Sequence, residues 1–452
     1  PEALASNQSA YPAARSKKGL LTEFYWGTDM EELGLSHANV NFFIDLLVNG
    51  SGISYTYNGK NYQFSSEYVG TLDRQVTTLQ KSGIIVTGVL VCRPGAAPFN
   101  YPGIGNAGTI QGWNVVTNEG VEYVSALLHF LAERYERSDN AYGHVANWIV
   151  GNEVNAESVW NNMGHPGVET YAKYYANMVR ITYQAMRSVC SHARVFISLD
   201  MFWDNVASSE RYDGKKILVL VNQYLKAEGD IPWGVAYHPY ANPLSEPEFW
   251  NDHAEQNENA GFISMQNISV LTNYLQYDWI RDPDGSVKHV ILSEEGFTSY
   301  SENQGNTEWK QAAAYAYAYY IAEANPYIDA IIVMRQKDAD VEANAGLHQG
   351  LWYDNTEKNF FTYGKKPVWT VWKYVDTAHS FEYTDSLASI VGLSSFSSVY
   401  GSVMASKKRT VSVGTGGTAS GFNGSAALAD NWSPQYMVSG FKKSGSSIQV
   451  TA

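Results

Sequence analysis

Two acidic side chains in this sequence each follow a long apolar run directly. Glu153 ends the stretch WIVGNE, and Glu294 ends the stretch VILSE. A carboxylic acid and a carboxylate that share one cleft can cleave a glycosidic bond, because the acid protonates the leaving oxygen while the carboxylate attacks or activates water. One such residue alone is better explained as a helix cap or a surface ion pair. Two together, each beside an amide or hydroxyl group, favour a catalytic site.

Other polar and aromatic side chains also follow apolar runs and are candidates for substrate binding. They are Asn152, Asn155, His238, Tyr240, Trp203, Trp352 and Arg93. His238 could instead be a satisfied core histidine, and Asn155 could cap a loop. The tryptophans, with Trp160 as a further candidate, could be sugar platforms or core residues, because a flat ring serves both purposes.

The elements that must position these side chains form eight alternations of an apolar run with a helical pattern. The predicted strands are Lys18–Phe24, His37–Phe43, Ile84–Cys92, Val145–Glu153, Arg194–Asp200, Trp233–His238, Lys288–Glu294 and Asp329–Arg335. Nearly continuous apolar runs are typical of parallel strands buried on both faces. An open doubly wound sheet would carry a glycine-rich phosphate loop after its first strand, and none is present. The pattern therefore predicts an α/β fold of the (β/α)8 TIM barrel type, with the site at the carboxyl ends of its strands.

The chain changes character after Asp376. Residues 1–377 are predicted to form the barrel domain. Residues 378–452 are rich in Ser, Gly, Thr and Val. We expect them to form a small C-terminal appendage of β type, either packed on the barrel or partly disordered.

Composition and charge exclude several classes of partner and cofactor. The formal net charge of −14 and a pI near 5.2 argue against nucleic acid and anionic membranes, because phosphate binding needs a basic surface. The two cysteines, Cys92 and Cys190, cannot form a Cys-rich zinc site. The ten histidines show neither an HExxH motif nor a close His-x-His pair. We therefore expect no metal and no cofactor.

Three motifs together resemble the clan A glycoside hydrolases, a superfamily of retaining (β/α)8-barrel enzymes. Asn152-Glu153 is similar to the clan's Asn-Glu pair at the end of strand four, and the stretch SEEG at 293–296 is similar to its Thr/Ser-Glu-x-Gly at strand seven. The stretch YHPY at 237–240 is similar to its His-x-Tyr element at strand six. The resemblance covers about residues 18–377. A departure is the end of strand eight, Met334-Arg335-Gln336, where many members carry Trp; Trp352 could substitute.

The resemblance implies a retaining hydrolase acting on a carbohydrate, with Glu153 as acid/base and Glu294 as nucleophile. Asn152 would then contact the sugar 2-hydroxyl. Strand alternation lets only one of Glu294 and Glu295 enter the cleft, and the Glu-x-Gly spacing favours Glu294. Two alternatives stay open: a non-catalytic carbohydrate-binding barrel and a metal-dependent hydrolase on the same fold. The acidic pI, few cysteines and polysaccharide chemistry favour a secreted or cell-envelope protein of a bacterium.

Overall fold

The computed structural model describes residues 1–22, 27–204, 208–353, 364–405, 440–444 and 447–451. Its centre is a closed barrel of eight parallel strands in sequence order. The strands are Lys18–Leu21, His37–Phe43, Ile85–Val91, Val145–Val150, Arg194–Leu199, Gly234–Tyr237, Val290–Glu295 and Ile328–Val333. The eighth strand pairs with the first, with Ile331 opposite Lys18, and this pairing closes the barrel. The predicted fold class is confirmed.

Helices on the chain segments between the strands surround the barrel. The longer ones are Ser66–Lys81, Asn118–Tyr135, Val168–Val189, Gly214–Ala227, Glu308–Ala324 and Pro367–Tyr374. Short α-helices span Gly27–Glu32, Ile44–Val48, Glu157–Trp160, Ser269–Tyr274 and Asp340–Ala343, and 3-10 turns span Glu2–Leu4, Phe249–Asn251 and Met265–Asn267. Hydroxyl side chains cap the N-termini of two of the long helices. Ser65 accepts a hydrogen bond from the amide of Tyr68, and Thr117 accepts one from the amide of Gly120.

Most residues of the strands are apolar because both faces of the barrel sheet are buried. All seven residues of Ile85–Val91 are buried. Alternate side chains point into the barrel, where Val89, Ile149, Phe196 and Ile291 belong to one small interior cluster. The apolar strand residues that alternate with these pack outward against the helices in a second, larger cluster. This double burial stabilises the strand ends that carry the candidate site.

The predicted boundaries differ from the observed ones mainly at the carboxyl ends of the strands. The fourth strand was expected to reach Glu153 but ends at Val150, because the chain leaves the sheet there and turns over the barrel mouth. The first strand ends at Leu21, and part of its predicted continuation lies outside the described residues. Outside the barrel, a turn at Asn58-Gly59 joins strands Gly52–Tyr57 and Lys60–Ser65, with φ of 47° and 77° at its two residues, as an Asn-Gly pair favours.

The segment after the barrel begins with helices rather than the strands that its composition favoured. Helices Ser380–Thr384 and Phe396–Met404 flank a 3-10 stretch, Asp385–Val391. Tyr320, on the helix before the eighth strand, packs against Phe396 with ring centroids 5.2 Å apart. The apolar spacing of Phe396 and its successors is helical, which explains the difference. Farther on, Gly440–Ser444 and Ser447–Thr451 pair as an antiparallel hairpin. The domain division at residue 377 stays a prediction.

Within the described part of the chain, no helix combines the length and the apolar content that crossing a bilayer requires.

Candidate functional site

A cleft of about 550 Å³ opens at the carboxyl ends of the barrel strands. Five of the predicted site residues line it, and four of these are Asn152, Glu153, Tyr240 and Glu294. Arg93, from the segment after the third strand, lines it as well. His238 lies directly beneath this surface and is 1% exposed. The barrel thus brings together the carboxylates predicted from strands four and seven.

The backbone at Glu153 adopts a conformation that is rare for a residue with a side chain. Its φ is +38°, in the left-handed region, and Gly151 just before it has a φ of +74°. Ser198, on the fifth strand, holds this turn from below. Its Oγ accepts a hydrogen bond from the Glu153 amide at 2.9 Å, and its carbonyl accepts one from the Val154 amide at 3.0 Å. A strained backbone that neighbours hold in place is common at functional sites.

His238 links the two cleft carboxylates. Its Nδ1 lies 2.9 Å from Oε1 of Glu153 and 3.7 Å from Oε2 of Glu294. A carboxylate oxygen of each glutamate and the imidazole nitrogen all lie within 4.8 Å of one another. Burial acts to lower the pKa of His238, but the charges of Glu294 and Glu153 and the hydrogen bond to Glu153 outweigh it and raise that pKa. The imidazole therefore donates a hydrogen bond to Glu153 and lies within ion-pair distance of Glu294.

Two hydroxyl groups complete the immediate surroundings of this trio. Tyr240 donates from its hydroxyl to Oε2 of Glu294 at 3.1 Å. Burial, followed by the nearby carboxylates, raises the pKa of Tyr240 well above its usual range, so the phenol stays protonated. Ser293 Oγ lies 3.0 Å from Nε2 of His238 and fixes the ring from the other side. The same three donor atoms of Glu153, His238 and Glu294 could also bracket a divalent cation.

A β-bulge in the seventh strand determines that Glu294, and not Glu295, points into the cleft. Ile291 points into the barrel, so strict alternation would bring Glu295 inward. The pairing shifts register instead: Leu292 lies opposite Ile331, whereas Glu295 lies opposite Val333. The extra residue directs Glu294 into the cleft and turns Glu295 away from it. Glu295 is fully buried, and its Oε1 accepts a hydrogen bond from the Gly296 amide at 3.0 Å.

Behind the cleft, the fully buried Glu295 lies near a second acid, the partly buried Asp252. Burial raises the pKa of Glu295 well above its usual range, and the charge of Asp252 adds to this effect. Burial also raises the pKa of Asp252, to about 7. Both groups therefore favour the protonated form in the folded protein.

We expect this pair to make the folded protein less stable as the pH rises. The unfolded chain releases an Asp proton near pH 4, whereas folded Asp252 holds its proton up to about pH 7. Stability is therefore lost as the pH rises through this interval. The Asp252→Asn variant should show a flatter decline of Tm between pH 5 and pH 8 in calorimetry. Asp278→Asn, at a fully exposed acid, is the matched control; equal slopes in the wild type and Asp252→Asn would refute the expectation.

A third acid, Asp200, lies in the cleft beside Glu153 at the end of the fifth strand. Burial, followed by the charge of Glu153, raises the pKa of Asp200 to about 6, although Arg211 binds it at 2.5 Å. Sequence reasoning missed Asp200, although it ends an apolar run as Glu153 does. Asn155 was predicted to bind substrate, and this prediction is wrong. The residue is fully buried, and its side-chain amide donates to Asp200, so it positions that carboxylate and does not reach the cleft.

Arginine side chains line the cleft, and each is paired with a carboxylate. Arg93 binds Asp45 through Nε at 2.9 Å, and its guanidinium lies over the Phe43 ring at 4.7 Å. Arg211 is paired with Asp200 as described, and Arg335 binds Glu342 through Nε at 2.8 Å. The cleft thus offers planar donors whose charges are largely neutralised. Of these, sequence reasoning named only Arg93.

Of the three candidate tryptophans, only Trp160 lines the cleft, where it packs against the interior cluster. Trp203 was predicted to line the cleft, but it is fully buried in the core, where its Nε1 donates to the carbonyl of Glu258 at 3.0 Å. Trp352 lies outside the described lining of the cleft, where its Nε1 donates to Asp29, and its role in binding stays a prediction. Both follow strand ends, but their loops fold them back onto the barrel.

We expect Trp160→Ala to raise KM for an oligosaccharide by about 10-fold, or roughly 1.4 kcal/mol, while leaving Tm nearly unchanged. The reason is that the indole offers the cleft an apolar platform. Trp279→Ala is the matched control, because Trp279 is 42% exposed and lies outside the cleft lining. An unchanged KM in Trp160→Ala, or an equal effect of both substitutions, would show that Trp160 does not contact the substrate.

Solved structures with this barrel include known glycoside hydrolases. A family 39 glycoside hydrolase from the gut symbiont Bacteroides cellulosilyticus WH2 matches with a TM-score of 0.52 and 15% identity, over 82% of this chain and 65% of that one. This chain therefore spans less than two thirds of that enzyme. A hyperthermophilic β-glucosidase from Pyrococcus furiosus matches with a TM-score of 0.52 and 11% identity, over 82% and 87% of the two chains. At such identities the likeness shows the shared fold.

A search of curated proteins by sequence found no match. A family model, in contrast, covers residues 10–399, which include every barrel strand and the whole described lining of the cleft. The chain therefore belongs to that family, the family of unknown function DUF5722.

Proposed function

We propose that this protein is a retaining glycoside hydrolase acting on a poly- or oligosaccharide, with Glu153 as acid/base and Glu294 as nucleophile. The observation that carries the proposal is the separation of the two carboxylates, whose nearest oxygens lie within 4.8 Å. Retaining glycosidases hold their carboxyl groups about 5–5.5 Å apart, whereas inverting enzymes need roughly 6.5–9.5 Å to admit a water molecule. The barrel shared with known glycoside hydrolases gives the proposal further support.

In the first step, the Glu153 carboxyl proton passes to the glycosidic oxygen as the bond to the anomeric carbon breaks. Glu294 attacks that carbon from the opposite face and forms a glycosyl ester. In the second step, Glu153 takes a proton from water, the water oxygen attacks the anomeric carbon, and Glu294 leaves as a carboxylate. Two inversions at one carbon give net retention.

The residues around the glutamates have distinct parts in this scheme. Tyr240 donates to Oε2 of Glu294 and so fixes the attacking carboxylate. His238 donates to Glu153 and lies 3.7 Å from Glu294, so its positive charge can stabilise whichever carboxylate is negative. Asn152 lines the cleft next to the acid/base, where it can contact a sugar hydroxyl. None of these parts requires a cofactor.

The direct test is the stereochemistry of hydrolysis. A panel of aryl glycosides and plant, algal and microbial glycans identifies a substrate, and NMR of the first-formed product then gives its anomeric configuration. We expect retention, and labelling with a 2-deoxy-2-fluoro glycoside should add one sugar to Glu294, detected by peptide mass spectrometry. An inverted first product would refute the mechanism. Loss of activity on chelation, restored by a divalent cation, would favour the metal-dependent alternative at the same trio.

A further inference from the structure

A second cluster of metal-binding residue types lies at the opposite end of the barrel from the cleft. His144 immediately precedes the fourth strand, and Cys190 and His192 precede the fifth. One donor atom from each of the three lies within 4.8 Å of the other two. Cys190 is fully buried, and both histidines are partly buried. The glycosidase proposal makes no use of these residues.

The hydrogen bonds of the two imidazoles fix which nitrogens carry protons. Nδ1 of His144 lies 3.1 Å from the carbonyl of Tyr135, and Nδ1 of His192 lies 2.6 Å from the carbonyl of Ser9. A carbonyl only accepts, so both Nδ1 atoms must be donors and both Nε2 atoms of the neutral rings are unprotonated. Yet the two Nε2 atoms face each other at 3.3 Å. Two lone pairs at this distance repel unless a cation lies between them.

The spacing of the donor atoms suits a tetrahedral metal ion. Zinc binds histidine nitrogen at about 2.0–2.1 Å, which places two such ligands of one tetrahedron about 3.3 Å apart. The two Nε2 atoms show this separation. Cys190 Sγ lies beside the His192 ring, 3.2 Å from its Nδ1 and 3.4 Å from its Nε2, so a turn of the thiol toward the two Nε2 atoms would complete the ligand set. Backbone carbonyls on both Nδ1 atoms are the outer contacts that commonly orient metal-bound histidines.

Charge and space at the cluster also fit a cation. Glu136, fully buried, contacts the Cys190 thiol, and its Oε2 lies 3.7 Å from Nδ1 of His144. That oxygen receives no hydrogen bond from any nitrogen or hydroxyl group of the described residues. With an ion bound, a Cys190 thiolate and the Glu136 carboxylate would together balance a charge of +2. A cavity of about 380 Å³, which both histidines line, leaves room for a water molecule as fourth ligand.

We propose that His144, Cys190 and His192 bind one divalent transition-metal ion, with Zn²⁺ as the ion that suits them, at a structural site on the closed end of the barrel. The ion would tie the N-terminal segment to the barrel, because the Ser9 carbonyl holds one ligand in place. Asn7 extends this attachment through its backbone. Its backbone amide donates to the Val189 carbonyl, and its backbone carbonyl accepts from the Ser191 amide. In barrel enzymes this end serves stability rather than chemistry.

The test uses the full chain, stripped of metal by a chelator and then titrated with Zn²⁺ or Co²⁺. We expect one equivalent of Zn²⁺ to bind per chain and to raise Tm by several degrees. Co²⁺ should give a thiolate-to-cobalt charge-transfer band, which an ion held by Glu153, His238 and Glu294 cannot give. Identical Tm values with and without Zn²⁺, or a Co²⁺ spectrum without that band, would overturn the proposal and indicate a proton shared between the imidazoles.

Variants assign the band to particular residues. Cys190→Ser should abolish it, whereas Cys92→Ser, at the other buried cysteine, should keep it. If Cys190→Ser fails to fold, His192→Gln keeps the thiol and should weaken Co²⁺ binding by more than 10-fold. Loss of the band in Cys92→Ser, or unchanged Co²⁺ affinity in His192→Gln, would place the ion elsewhere. These readouts need no glycosidase activity, so they stand even if the proposed function fails.

Discussion

Glu294→Gln is expected to lower kcat by a factor on the order of 10⁴ or more, because loss of a nucleophile removes the covalent pathway altogether. The amide keeps the size of the side chain and can still meet Tyr240, so Tm should change little. Glu295→Gln is the matched control, since it makes the same change one residue later. It should keep most of the activity, because Glu295 is buried behind the cleft and already favours its neutral form.

Chemical rescue sharpens this prediction. Glu294→Ala leaves space for a small anion beside the anomeric carbon, so azide should restore turnover and give a glycosyl azide of inverted configuration. NMR of that product identifies the face from which azide attacked. If Glu295→Gln is inactive while Glu294→Gln turns over normally, the bulge does not direct Glu294 into the cleft as the nucleophile. Glu295 would then be the nucleophile.

Glu153→Ala is expected to show an effect that depends on the leaving group. Loss of general acid catalysis costs about 10²–10⁴-fold, and only a poor leaving group needs the proton. Glycosyl transfer from alkyl or sugar glycosides should slow by that factor, whereas transfer from activated aryl glycosides should slow little. Rates across a series of leaving groups give the comparison, and azide should now yield a product of retained configuration.

Asp200 is the alternative candidate for the acid catalyst. It lies in the same cleft, and its pKa of about 6 would also suit an acid catalyst. We expect Asp200→Asn to shift the pH profile through its effect on Glu153 without creating a dependence on the leaving group. If Asp200→Asn shows that dependence and Glu153→Ala slows all substrates equally, Asp200 is the acid.

The barrel could be predicted from the sequence because each strand is buried on both faces and therefore leaves a nearly unbroken apolar run. Glu153 and Glu294 could be predicted because they end such runs. Asn155 and Trp203 were misplaced because position after a strand does not determine which way a loop folds its side chains. The bulge at 292–295 is likewise invisible in sequence, since it depends on pairing with the neighbouring strand.

The cluster at the closed end was missed for a related reason. Its residues lie just before the beginnings of two strands, whereas the active site of a barrel enzyme is expected at the carboxyl ends of the strands. His144 and Cys190 are far apart in sequence, so no familiar ligand spacing marks them. Only the pairing of the fourth and fifth strands brings them together.

If Glu153 is the proposed acid/base, its left-handed backbone sets activity against stability at this position. Such a conformation costs a residue with a side chain roughly 1–2 kcal/mol, a cost that glycine escapes and asparagine partly escapes. Stability alone would therefore favour Gly or Asn here, and only a requirement for the carboxyl group would keep Glu. In a lineage that no longer used the cleft, position 153 should drift first. Family members that retain the barrel but carry Gly or Asn there would be the ones that have given up acid catalysis.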